Sequence, residues 1–197
     1  MFFRVLLIKI MLFACLAVSA QDDVSRRISD AALELTKHHV VYDPSYFRID
    51  YPNGDVPKGK GVCTDVVIRA YRKLGVDLQQ KVHEDMKAHF KLYPNIWGLL
   101  HTDTNIDHRR VPNLMTYFKR NGKVLPISMK ASDYNPGEIV CWNLGGGTTH
   151  IGIVVDKKSP DGGRYLIVHN IGNGQELADC LFQYKIIGHY RYSKDIE

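Results

Sequence analysis

Three residues of this chain carry types and positions that could do chemistry together: Cys63, His150 and His169. Cys63 stands where the loop Pro57-Lys58-Gly59-Lys60-Gly61 gives way to a helical pattern beginning at Val62-Cys63-Thr64-Asp65. A free thiol has a pKa of about 8.5, so a nucleophilic cysteine needs its thiolate stabilised. Lowering that value by two units takes roughly 2.7 kcal/mol, whereas a helix N-terminus supplies about 0.3–1 kcal/mol. The remainder calls for a cation, and an imidazolium is the expected source. His150 opens the run His150-Ile151-Gly152-Ile153-Val154-Val155, and His169 ends the run Tyr165-Leu166-Ile167-Val168-His169, with Asn170 next. If these runs pair antiparallel through Pro160-Asp161-Gly162-Gly163, both histidines reach one sheet edge, His150 as base and His169 as its orienting partner. Periodicity does not choose between His169 and Asn170, because the strand is apolar on both faces. Each residue also has an inert alternative: a buried structural thiol, or a histidine satisfied at the surface or in the core.

Among the elements that must position these residues, Val67, Ala70, Tyr71 and Leu74 recur at helical spacing and Gly75 supplies a stop, so a helix is predicted over 63–74. Further helices are predicted from Asp23 to about His38, after an Asp77 cap through Val82, Met86 and Phe90, and from Pro112 to near Gly122. Residues 42–60, rich in proline, glycine and aspartate, read as a loop. Strands are predicted over Glu138–Asn143, Thr149–Asp156, Arg164–Asn170 and Lys185–Tyr192. Helices first and strands later, joined by short turns, predict an α+β domain with N-terminal helices packed on a mostly antiparallel sheet.

Residues 1–20 read as a signal peptide: Arg4 and Lys9 precede an apolar run ending in Val18-Ser19-Ala20. An uncleaved anchor is the alternative, but the run is shorter than the roughly 20 residues a span requires. The mature chain, residues 21–197, is expected to be one domain without a membrane span, exported to the periplasm or secreted. Its net charge, lowered from +5 to +3 by loss of Arg4 and Lys9, is too mild to imply nucleic acid. Three cysteines remain, Cys63, Cys141 and Cys180, so either Cys141 pairs with Cys180 or both are buried thiols. Oligomeric state is not legible, and no cofactor or resident metal is expected.

Several motifs together resemble the DUF1287 family of bacterial exported proteins. They are Gly61-Val62-Cys63-Thr64-Asp65, the run from Asp103 through Leu114, Pro136-Gly137-Glu138-Ile139-Val140, Thr149-His150-Ile151-Gly152, His169-Asn170-Ile171-Gly172 and Gly188-His189-Tyr190-Arg191-Tyr192. That family looks like a branch of the NlpC/P60 papain-like superfamily, whose members are typically cysteine endopeptidases or amidases acting on peptidoglycan peptides. The resemblance implies Cys63 as nucleophile, His150 as base and His169 as the third member of a Cys-His-His triad. In NlpC/P60 enzymes the nucleophile usually follows an aspartate and precedes serine-glycine, whereas here Val62 precedes it and Thr64-Asp65 follow.

Asp65, Asn170 and the stretch Asn105, Asp107, His108, Arg109 and Arg110 are the candidate substrate contacts, since arginine suits the carboxylates of peptidoglycan or other peptide-like substrates. A solvated loop with internal ion pairs is the competing reading of that stretch. Two other functional classes use the same residues. One is a non-catalytic cell-envelope binding module. The other is a zinc site on Cys63, His150 and His169, which lacks any closely spaced ligand pair. Transfer of an acyl group to an amine rather than water would share the residues and differ in acceptor.

Overall fold

The computed structural model describes residues 23–196. The proposed signal peptide therefore lies outside the described residues. Helix α1 covers residues 23–35 and buries Ile28, Ala31, Ala32 and Leu35. A short parallel pair, β1 (Val41–Tyr42) and β2 (Lys60–Gly61), flanks a long loop and delivers the chain to α2 (Cys63–Arg72). Helix α3 (Leu78–Ala88) is capped as expected by Asp77, whose side chain accepts from the Gln79 N–H at 2.9 Å. Helix α4 (Val111–Asn121) carries Pro112 in its first turn and ends at Gly122.

Strands β3 (Lys123–Val124), β4 (Ile139–Gly145), β5 (Thr148–Lys158), β6 (Tyr165–His169), β7 (Glu176–Ala178) and β8 (Lys185–Arg191) form one antiparallel sheet in the order β3-β8-β4-β5-β6-β7. This is the α+β, papain-like architecture expected from the sequence. The edge strands β3 and β7 were not foreseen, being too short to show a period.

Alternation along β4 and β5 sorts the core. Ile139, Cys141, Ile151, Ile153 and Val155 face α2, meeting Val66, Val67, Ala70 and Tyr71. Val140, Trp142 and Val154 face the other way, toward Tyr134, Cys180 and Leu181. Cys141 and Cys180 thus lie in clusters on opposite faces, so the alternative of two buried thiols holds and all three described cysteines are free. The glycines Gly145, Gly146 and Gly147 all have positive φ, which lets a tight turn join β4 to β5 and present His150 at the start of the central strand.

Candidate active site

Cys63 is the first residue of α2, entered from an extended Val62. Valine has no side-chain acceptor, so the turn is closed from its third position: the Val62 N–H donates to Asp65 Oδ2 at 2.7 Å. Asp65 is itself gripped by Arg109, with Nε to Oδ1 and Nη2 to Oδ2 both at 3.1 Å. Both side chains are almost wholly buried. Arg109 further donates to the Ser45 carbonyl at 3.1 Å, and the Thr64 hydroxyl donates to the Arg109 carbonyl at 3.3 Å. One guanidinium therefore ties the helical turn that carries Cys63 to the loop after β1.

The Cys63 sulfur faces the N–H groups of Ile151, Thr64 and Cys63 itself, all of which favour thiolate. Burial outweighs them and pushes the thiol up to about 12. Contact with the Ile151 N–H places the sulfur against β5 one residue beyond His150.

Antiparallel register sets Ile153 of β5 opposite Val168 of β6, so the start of one strand meets the end of the other. His150 Nε2 and His169 Nδ1 lie 2.7 Å apart, both buried. The geometry thus gives His169, not Asn170, the hydrogen bond to His150. Burial, reinforced by the charge His169 would carry, pushes His150 down to about 3; burial alone takes His169 down to about 4. The His150 ring also lies 5.7 Å from Trp142, its partner across β4. Both histidines accordingly sit on the Trp142 face of the sheet, while Cys63 belongs to the α2 face. Among the described residues no hydrogen bond joins the sulfur to either imidazole. The far nitrogen of His169, Nε2, approaches Cys180 Sγ at 3.7 Å and Glu176 Oε1 at 4.0 Å, two neighbours that sequence reasoning did not single out.

Asn170 works elsewhere. Its Nδ2 donates to the Gly61 carbonyl at 3.2 Å, holding the β2–α2 junction against the end of β6. Asn105 accepts from the Ile49 N–H at 3.0 Å and donates to the Tyr46 hydroxyl at 2.8 Å, fastening one loop to another. Asp107 is buried, accepting from the Asp103 N–H at 2.8 Å and bonded to His83 Nδ1 at 3.0 Å; burial raises its carboxyl. His108 is buried with Nδ1 unpartnered, and burial takes it down to about 3. Asp65, Asn105 and Arg109 thus direct their polar atoms to internal partners, as does Asp107 through Oδ2, while Asp107 Oδ1 is buried without one; Asp107, His108 and Arg109 are buried rather than solvated. Arg110 differs: it lines a cavity of about 220 Å³ together with Cys63, Tyr42, Trp97 and Thr149. Trp97 and Tyr42 lie far from any motif, and their place here was not readable from the sequence. Among the described residues no group of three or more His, Cys, Asp or Glu side chains is arranged to hold a metal ion, and no helix is long and apolar enough to cross a membrane.

A family model described as a domain of unknown function, DUF1287, matches residues 29–192. The Escherichia coli (strain K12) protein YijF is 49% identical over 175 residues, spanning 89% of this chain and 85% of that protein. A crystal structure of an N-acetylmuramoyl-L-alanine amidase from Bacteroides uniformis ATCC 8492 shares the fold, with a TM-score of 0.50 at 14% identity over 87% of this chain and 100% of the other. The motifs around Cys63, His150 and His169 fall within the matched span, and the chain belongs to the DUF1287 family.

Proposed function

We propose that this protein is an exported cysteine hydrolase, an endopeptidase or amidase, that cleaves peptidoglycan peptides through Cys63, His150 and His169. The observation that carries the reading is the Cys63 thiol at a helix start, packed against the Ile151 N–H beside a cavity and one residue along β5 from His150, which His169 holds at 2.7 Å. The fold shared with an N-acetylmuramoyl-L-alanine amidase and the motifs of the DUF1287 family, which resembles a branch of the NlpC/P60 enzymes, support the same class. Residues 1–20 would direct export, and residues 21–197 would form the single catalytic domain.

Charge states shape the mechanism. With the thiol near 12 and His150 near 3, forming a separate thiolate and imidazolium would cost on the order of 10 kcal/mol before their mutual attraction is counted. Proton transfer is therefore coupled to attack. As the Cys63 sulfur bonds to the substrate carbonyl carbon, its proton passes to His150 Nδ1, the nitrogen not bonded to His169. N–H groups of the first turn of α2 hold the oxyanion. The imidazolium returns the proton to the leaving amine as the C–N bond breaks; His150 then takes a proton from water, which attacks the thioester and releases the acid and the thiol. The mechanism requires sulfur and Nδ1, which share no hydrogen bond among the described residues, to come within reach when substrate binds; catalytic hydrogen bonds commonly form fully only in the substrate complex.

A binding module is the second reading, favoured by the neutral, high-pKa thiol. Incubation of purified mature protein with peptidoglycan fragments, followed by mass spectrometry, separates the two. Cleavage by the unaltered protein and a loss of at least ~10³-fold in Cys63→Ala is expected, in line with removal of a nucleophile whose base alone contributes roughly 10²–10⁴-fold. Equal cleavage by Cys63→Ala would sink the nucleophile assignment, and binding without turnover by both proteins would favour the module.

A further inference from the structure

We infer that the cavity beside Cys63 is a carboxylate subsite built on Arg110, which selects peptides carrying a free carboxylate next to the scissile bond. The inference rests on the hydrolase reading and adds its substrate class. Two arginines line the cavity and no aspartate or glutamate does. Their charges differ in availability. Arg109 is matched by the buried Asp65 carboxylate at 3.1 Å. Arg110 has no carboxylate at ion-pair distance among the described residues, and its Nη1 is buried without a hydrogen-bond partner.

The acids whose charges act on Arg110 are Asp107 and Asp103, neither at ion-pair distance; their hydrogen bonds go elsewhere, with Asp107 Oδ1 alone unpartnered. Asp107 is held by His83 and the Asp103 N–H, and Asp103 by Tyr46 and Asn105. The guanidinium lies 4.1 Å above the Trp97 ring, which fixes its plane and leaves its edge as the donor surface. Arg110 is also the N-cap position of α4, and no side chain caps that helix; Val111 and Pro112 of its first turn line the same cavity. The positive end of α4 thus adds to the arginine's field. Nε and Nη2 of Arg110 are not among the buried unpartnered atoms and make no hydrogen bond to the protein among the described residues, so a planar carboxylate matches the fork they present, whereas a neutral amide matches it poorly and an ammonium is repelled.

The test uses two stem peptides from peptidoglycan that differ in one respect, free carboxylates against carboxamides. Binding is measured by calorimetry in the Cys63→Ala protein, and cleavage by mass spectrometry in the unaltered one. The free-carboxylate peptide is expected to bind at least tenfold tighter, the two affinities to converge in the Cys63→Ala, Arg110→Gln double variant, and Arg110→Lys to restore part of the difference. Equal affinities in Cys63→Ala, or a preference that survives Arg110→Gln, overturn the subsite. The peptide pair decides the matter even if Arg110→Gln fails to fold. A protein that discriminates between the peptides yet cleaves neither keeps the subsite and loses the hydrolase reading.

Discussion

At Cys63 two opposing effects act on one sulfur. Three N–H groups and the helix start favour thiolate, and burial disfavours it; a rise from 9.0 to about 12 corresponds to about 4 kcal/mol, beyond what a helix N-terminus offsets. The cation that sequence reasoning required is not in place in the resting molecule, because His150 is held neutral down to about 3. Spacing revealed which residues meet, but the protonation of each depends on burial by Trp142, Ile151 and their neighbours, which spacing does not report. Alkylation of Cys63 by iodoacetamide, taken as the difference between unaltered and Cys63→Ala protein, is therefore expected to climb about tenfold per pH unit from pH 7 to 10 without levelling off. A plateau with its midpoint below pH 7 would show a standing thiolate and overturn the coupled proton transfer.

Among the elements, β5 and β6 do the positioning, and their close approach depends on Gly152. A Cβ there would meet Ile167 Cγ2 at 2.6 Å, the Val168 carbonyl at 3.0 Å and His169 Cβ at 3.2 Å. Two of these neighbours are β6 backbone or its attached Cβ, so relief requires β6 to move away from β5. That motion would lengthen the 2.7 Å bond from His150 to His169. Gly152→Ala is expected to cost ~1–3 kcal/mol of stability by overpacking and to lower kcat more than it raises KM, read by urea unfolding and by initial rates. Unchanged kcat would show that the interhistidine bond does not govern turnover. The glycine's meaning was legible, since a strand glycine marks close approach. So were α2, α3 and α4, from their helical period, and the four longer strands, from runs rich in valine, isoleucine and tyrosine set between turn signals. Arg109 was legible as a cation but not as the buried clamp on Asp65, because the two residues are joined only by the tertiary fold.

For the whole molecule, two cores on opposite faces of one sheet bury polar groups that would otherwise titrate. His108 lies among the helices, while His150 and His169 lie on the Trp142 face; burial takes them down to about 3, 3 and 4. Each therefore binds fewer protons folded than unfolded. Above the unfolded value of about 6.5 both states are neutral and stability is full; as pH falls below it the unfolded chain gains protons that the folded chain refuses, and stability declines until the folded values are reached. The slope approaches ~1.4 kcal/mol per pH unit for each such histidine, and water penetration on partial opening makes the sum smaller than threefold that. Carboxylates held low, such as Glu138 and Asp85, act in the same direction but below about pH 4, while Asp107, whose carboxyl burial raises, acts in the opposite direction, so the three histidines set the sign of the slope between 6.5 and 4.5. Urea midpoints measured across it should be level from pH 8 to 7 and then fall steadily. His150→Phe should flatten the decline by roughly the share of one histidine, since it removes one proton-binding group from the unfolded chain. A midpoint that stays constant to pH 5 would mean that these imidazoles are hydrated in the folded protein, which would also remove the basis for a neutral His150 at rest.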